Sequence, residues 1–144
     1  MQNDFETLIS RINKLTPQSQ ALWGKMSVAQ MLAHVNVGLS NSIGRAKQKR
    51  VFIGFLFGKM AKKSVLSENK FKRNLITGKD FKIVSQCDFT TEKDNLLVIL
   101  DEINSKGKTI FTHEPHPFFG KLSHDEWNTL QYKHLDHHLE QFGC

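Results

Sequence analysis

The sequence predicts an all-α protein, a four-helix bundle with a long crossover segment between helices 2 and 3. Four stretches place apolar residues at helical spacing, one face each. Two of them follow a Ser-x-x-Gln or Ser-x-x-Glu capping box, in which hydroxyl and side-chain carbonyl satisfy two free N–H groups reciprocally. Four such stripes bury best against one another.

The first helix is expected over Asp4–Leu15, where Phe5, Leu8, Ile9, Ile12 and Leu15 recur on one face. Asn3 or Asp4 can cap it and Thr16-Pro17 closes it. The second is expected over Val28–Ser42, with Ser27 and Gln30 as its capping box and a stripe of Val28, Met31, Leu32, Val35 and Leu39. His34 falls on the edge of that stripe, beside Met31 and Gly38. Between Gly44 and Gln86 the pattern is mixed. Val51–Lys63 reads as a short helix weakened by Gly54 and Gly58. Asn69–Ile83 reads as a long loop, and Phe81–Val84 as extended. A helix over Phe89–Ser105 shares Phe89, Leu96, Ile99, Leu100 and Ile103 on one face and stops at Gly107. A loop rich in His and Pro, His113–Gly120, leads to the last helix, His124–Gln141, which Ser123 and Glu126 cap and Gly143 ends.

The 144 residues suit one domain, residues 1–144. Hydrophobic residues at 39% and charged residues at 24% are ordinary globular values, and three Pro and nine Gly exclude a collagenous or low-complexity chain. No run of about 18 apolar residues could span a bilayer, and MQNDFETLIS lacks the basic and apolar regions of a signal peptide. Cys87 and Cys144 are too few for a disulfide framework and lack zinc-site spacing. A cytoplasmic, reduced protein is expected.

The formal charge of +6 invites a nucleic-acid partner. It is segregated, however. Residues 45–82 hold twelve Lys and Arg against two acids, a surplus of ten, and the remainder holds eight against twelve, a deficit of four. The basic character belongs to one connection that includes the apolar run VFIGFLFGKMAKK. Contact with nucleic acid or an anionic membrane through residues 45–82 is therefore not the expected role. The expectation is a solvated basic connection whose short helix packs on the core or on a second subunit.

The last helix carries the strongest chemical signal. With residues turning about 100° each, His134 and His138 project within about 20° of Trp127, on the face that also carries Leu130 and Phe142. An imidazole in a core needs partners for both ring nitrogens, and an unpaired one costs about 1–3 kcal/mol. Histidines at i and i+4 project in parallel and can share a metal ion. A third ligand must come from another helix, and His34 is the only His before position 113. Hydrogen bonds to carbonyls, water or neighbouring side chains would satisfy the same rings without metal. Three imidazoles suit Zn²⁺, Ni²⁺, Fe²⁺ or Cu²⁺, and three protein ligands leave a position open for water or substrate. Such an ion lowers the pKa of a bound water or thiol. His113, Glu114 and His116 could add a ligand, a supporting partner or a proton shuttle, or form only a rigid surface loop. No Gly-rich phosphate loop, GxSxG or HExxH is present.

MLAHV in the second helix followed by HLDHH in the last resembles the DinB/YfiT-like superfamily of metal-dependent four-helix-bundle proteins. HPFFGKLSHDEWNTLQYKHLDHHLEQFG resembles an uncharacterised branch of it, and LWGKMSVAQMLAHV, with Trp23, matches its earlier motif. The resemblance covers most of the chain, the basic middle segment loosely. It implies a bundle with a long crossover, often a homodimer, and a divalent metal ion held by His34, His134 and His138. It also implies a small-molecule substrate and, as in transferases of the superfamily, a low-molecular-weight thiol as co-substrate. The alternative is a non-catalytic helical bundle, an interaction or stress-response protein without metal.

Overall fold

The structure, a computed structural model, describes residues 5–144, and of Asp80 only the backbone. Five α-helices follow in order: α1, Phe5–Asn13; α2, Val28–Ser42; α3, Phe52–Val65; α4, Phe89–Lys106; and α5, His124–Gln141. Short 3-10 turns lie at Lys79–Phe81 and Gly107–Ile110. The described residues are helical throughout their regular structure, with one isolated antiparallel bridge between His116 and Gly120.

The helix boundaries follow from local chemistry. The Ser27 and Ser123 capping boxes both form. Asp88 caps α4 by accepting from the Thr91 N–H at 2.8 Å. Gly107 and Gly143 take positive φ beyond the ends of α4 and α5, a backbone region that other residues enter at a cost. The expected cap at Asn3 or Asp4 lies outside the described residues. Phe81–Val84 is extended only in part. Phe81 closes a turn through its N–H to Gly78 O, Lys82 has extended backbone, and among the described residues no strand pairs with this segment.

The core is built from the expected stripes. Leu8 and Ile12, Met31 and Leu32, Leu96 and Leu100, and Trp127 and Leu135 are fully enclosed. α2 packs against α4 and α5, and α1 against the same two helices from the other side of the sequence. Polar ties fix the register. Asn36 donates to the Glu92 carbonyl at 2.9 Å and its carboxylate at 2.8 Å, joining α2 to α4. Arg11 of α1 pairs with Asp136 of α5 and donates to Cys144 O at 2.9 Å.

α3 sits outside this core. Its seat is the pair Gly54 and Gly58, pressed against the backbone of the His113–Gly120 loop. A Cβ at either would stand 2.5 Å or 2.4 Å from the Phe118 carbonyl oxygen. The two glycines that weaken α3 as a helix are therefore what lets it approach the loop. Val51 N–H also donates to Pro117 O at 3.0 Å. At the far end Lys133 of α5 donates to the carbonyls of Val65 and Ser67 at 2.6 Å and of Asn69 at 2.8 Å. Of the two seats expected for the apolar side chains of α3, the chain's own core is not the one they occupy: Phe52, Leu56 and Met60 are 79%, 66% and 70% exposed. No described helix is long and apolar enough to cross a membrane.

Candidate metal centre

His34, expected on the edge of α2's stripe, is only 5% exposed and points toward α5. His138 is buried and His134 partly buried. The three rings form a nearly equilateral triangle, with centroids 4.9 Å, 4.8 Å and 4.8 Å apart and planes crossing at 74–80°. One ring nitrogen from each lies within 4.8 Å of the other two, so the group could hold a metal ion.

Hydrogen bonds behind the rings decide which nitrogen faces inward. The Phe81 carbonyl lies 2.6 Å from His34 Nδ1. A carbonyl only accepts, so Nδ1 carries the proton and Nε2 presents a bare lone pair. Gln141 Oε1 lies 2.8 Å from His138 Nδ1. Gln141 Nε2 donates to Trp23 O at 2.8 Å, which fixes the amide with its oxygen toward His138. His138 Nδ1–H is the donor there too, leaving Nε2 free. This arrangement, a second partner on the far nitrogen, holds metal-ligating histidines in one tautomer and orientation.

His134 completes the triangle differently. Its Nε2 lies 2.9 Å from His34 Nε2, which has no proton, so His134 Nε2–H donates. Coordination by that nitrogen requires the proton on Nδ1. A waiting acceptor exists: Gln131 Oε1 is buried without a hydrogen bond. It and His134 Nδ1 lie 3.6 Å and 3.4 Å from the point where a Gly38 Cβ would stand. The bare glycine lets both approach. The orphaned oxygen and the two fixed Nε2 lone pairs fit a bound cation.

Burial, first of all, lowers the pKa of all three histidines. For His34 the Phe81 bond opposes it, His138 falls to about 3, and His134 is pushed well down with help from its neighbouring histidines. All three are neutral at pH 7, as ligation requires.

Of the loop residues, His113 is exposed and its ring lies 4.7 Å from that of His124, tilted by 38°, and neither it nor Glu114 belongs to the triangle. His116 lies between Phe119 and Trp127, with centroids at 4.5 Å and 5.5 Å, and parallel to Phe81. Its Nδ1 accepts from the N–H groups of Phe118 at 3.0 Å and Phe119 at 3.1 Å. Burial, then the Arg50 charge, lowers it to about 4. Between pH 6.5 and about 4 the unfolded chain binds a proton there that the native chain refuses, so stability falls as pH drops through that window. His138, lowered to about 3, acts in the same direction. In chelator the unfolding free energy should hold level above about pH 7 and fall below it, by on the order of 1.4 kcal/mol per pH unit for each such histidine, and the thermal midpoint should fall with it. A midpoint unchanged between pH 7.5 and pH 5 would count against buried neutral imidazoles.

Sequence reasoning reached the three histidines but not their partners. Phe81 acts through its backbone, 47 residues from His34, and leaves no side-chain signal. Gln141 and Gln131 stand three residues from His138 and His134, a spacing that could have revealed them.

A family model described as Protein of unknown function (DUF1569) matches residues 2–143. No curated protein and no solved structure matches the chain.

Proposed function

The chain belongs to the DUF1569 family, a membership that assigns it no reaction, and we propose from the site itself that it is a divalent-metal-binding protein with a DinB/YfiT-like four-helix-bundle fold. The observation that carries this reading is the convergence of His34, His134 and His138, two of them with Nδ1 committed to an acceptor and Nε2 turned to the centre. Three neutral imidazoles suit Zn²⁺, Ni²⁺ or Fe²⁺ and leave a position for water or substrate. A bound ion of this kind supplies Lewis acidity, which favours the anionic form of a water or thiol at neutral pH.

The chain's own residues do the rest. Phe81 O and Gln141 Oε1 hold two rings against rotation, and the unpartnered Gln131 Oε1 is the acceptor available to an Nδ1–H of His134. The neutral His116, packed against Phe119 and Trp127, stands near enough to His134 to disfavour its protonation. The resemblance to DinB/YfiT-like transferases supports thiol transfer to a small molecule as the reaction, with a low-molecular-weight thiol as co-substrate and a homodimer as the assembly.

A second reading has one observation in its favour. The His34–His134 hydrogen bond gives both rings a partner without an ion, as a non-catalytic helical bundle would require. Zinc titration of untagged protein by calorimetry separates the two. The metal reading expects one site per chain and a Gln131→Ala variant that binds about 10–100-fold more weakly while unfolding in chelator at the wild-type temperature. Absence of zinc, nickel and iron binding to the wild type leaves the non-catalytic reading.

A further inference from the structure

The outward face of α3 has no occupant within the chain. On a helix turning about 100° per residue, Phe52, Ile53, Leu56 and Met60 share one side, with Gly54 and Gly58 opposite. The glycine side is spent on the Phe118 backbone. The other carries large apolar side chains that are more than half exposed, whereas on the other described α-helices only Val98 of α4 is a large apolar residue so exposed. A contiguous apolar surface of this kind on a small protein marks a place of contact.

The charge around it says with what. Lys47 and Lys49 lie on the segment leading into α3, and Lys59 and Lys63 within its last turns, all exposed. Among the described residues none of the four pairs with an acid. Arg50 stacks over Phe55 at 4.4 Å, so its charge stands directly beside the apolar side chains. A second copy of the chain seated on α3 would bring these lysines against one another, with no acid to separate them. An anionic bilayer takes both parts at once. Apolar side chains enter the boundary between headgroup and acyl chain while lysines meet lipid phosphate and carboxylate.

We propose that α3 is a membrane-surface anchor, lying flat on anionic lipid with Phe52, Ile53, Leu56 and Met60 inserted and Lys47, Lys49, Lys59 and Lys63 at the headgroups. The usual interfacial helix turns a charged face to water. Here the glycine seat takes that place and attaches the anchor directly to the loop that carries His116. The proposal stands apart from the metal site and would survive its failure.

The test is flotation of the full chain with vesicles of phosphatidylcholine alone and of phosphatidylcholine with about 30% phosphatidylserine. Two variants accompany it, Phe52→Ser with Leu56→Ser and Lys59→Glu with Lys63→Glu, each checked for native circular dichroism and thermal midpoint. All four positions are exposed. The wild type should float with the anionic vesicles, at least about tenfold more than with the zwitterionic ones, and added salt should release much of it. Each variant should lose most of that binding and keep the wild-type elution volume on gel filtration. Failure of the wild type to bind anionic vesicles overturns the proposal, as does binding that both variants retain. A wild-type dimer that the Phe52→Ser, Leu56→Ser variant converts to monomer also overturns it, by giving the face to a second copy.

Discussion

Protein purified without a histidine tag and carrying His134→Ala together with His138→Ala should retain no divalent metal after dialysis against trace zinc, where the wild type retains about one ion per chain. Removing both α5 ligands leaves His34 alone, and a single imidazole does not hold an ion against dilution. The effect should appear in stability as well. At a zinc concentration about 100 times the dissociation constant, binding adds about 2.7 kcal/mol to the folded state. For a chain of this size that is a rise of roughly 8 °C in the thermal midpoint. The double variant should show none of it. Single variants should fall between, and lower pH should weaken wild-type binding because protons compete for the same nitrogens. Equal metal content in wild type and double variant, by elemental analysis, would remove the site.

Gly58→Ala should destabilise the protein although it improves the helix. In an exposed helix interior the exchange gains about 1 kcal/mol. Here the new methyl would stand 2.4 Å from the Phe118 carbonyl oxygen, a backbone atom that cannot swing aside as a side-chain tip can. Either α3 lifts from the loop or the loop shifts with His116, whose Nδ1 holds the N–H groups of Phe118 and Phe119. Overpacking of this kind costs about 1–3 kcal/mol, and a lifted α3 would be cut by protease within residues 45–66 while the rest of the chain resists. Gly54→Ala should behave alike, with its Cβ 2.5 Å from the same oxygen. A variant more stable than wild type would mean that α3 does not rest on this loop.

These two expectations draw on parts of the molecule that were unequally legible. The capping boxes at Ser27 and Ser123 and the stop at Gly107 could be read directly, because each depends on residues three or four apart. The convergence of His134 and His138 was legible for the same reason. The alignment of His34 with them was a matter of tertiary packing, and the helical wheel left it on an edge where the structure buries it. The short helix was found in nearly its true place, Phe52–Val65 against an expected Val51–Lys63. Its apolar residues do not reach the chain's own core, because an apolar run signals burial there only where the core has room. α1, α2, α4 and α5 already fill that core, and Gly54 and Gly58 read as weakness until Phe118 was seen against them. Phe81–Val84 is extended at Lys82, but Phe81 itself closes a 3-10 turn, a local hydrogen bond to Gly78 that the apolar pattern does not signal.

The Phe81 carbonyl that holds His34 belongs to the crossover, and Lys133, next to His134, clasps the crossover at Val65, Ser67 and Asn69. The crossover and the histidine cluster are thus tied together by hydrogen bonds at both ends. If a ligand bound by the histidines orders the crossover, linkage makes the effect reciprocal, and what orders the crossover strengthens that binding by the same factor. A segment that looks like a mere connection is thereby placed to report occupancy of the site across the surface of the molecule.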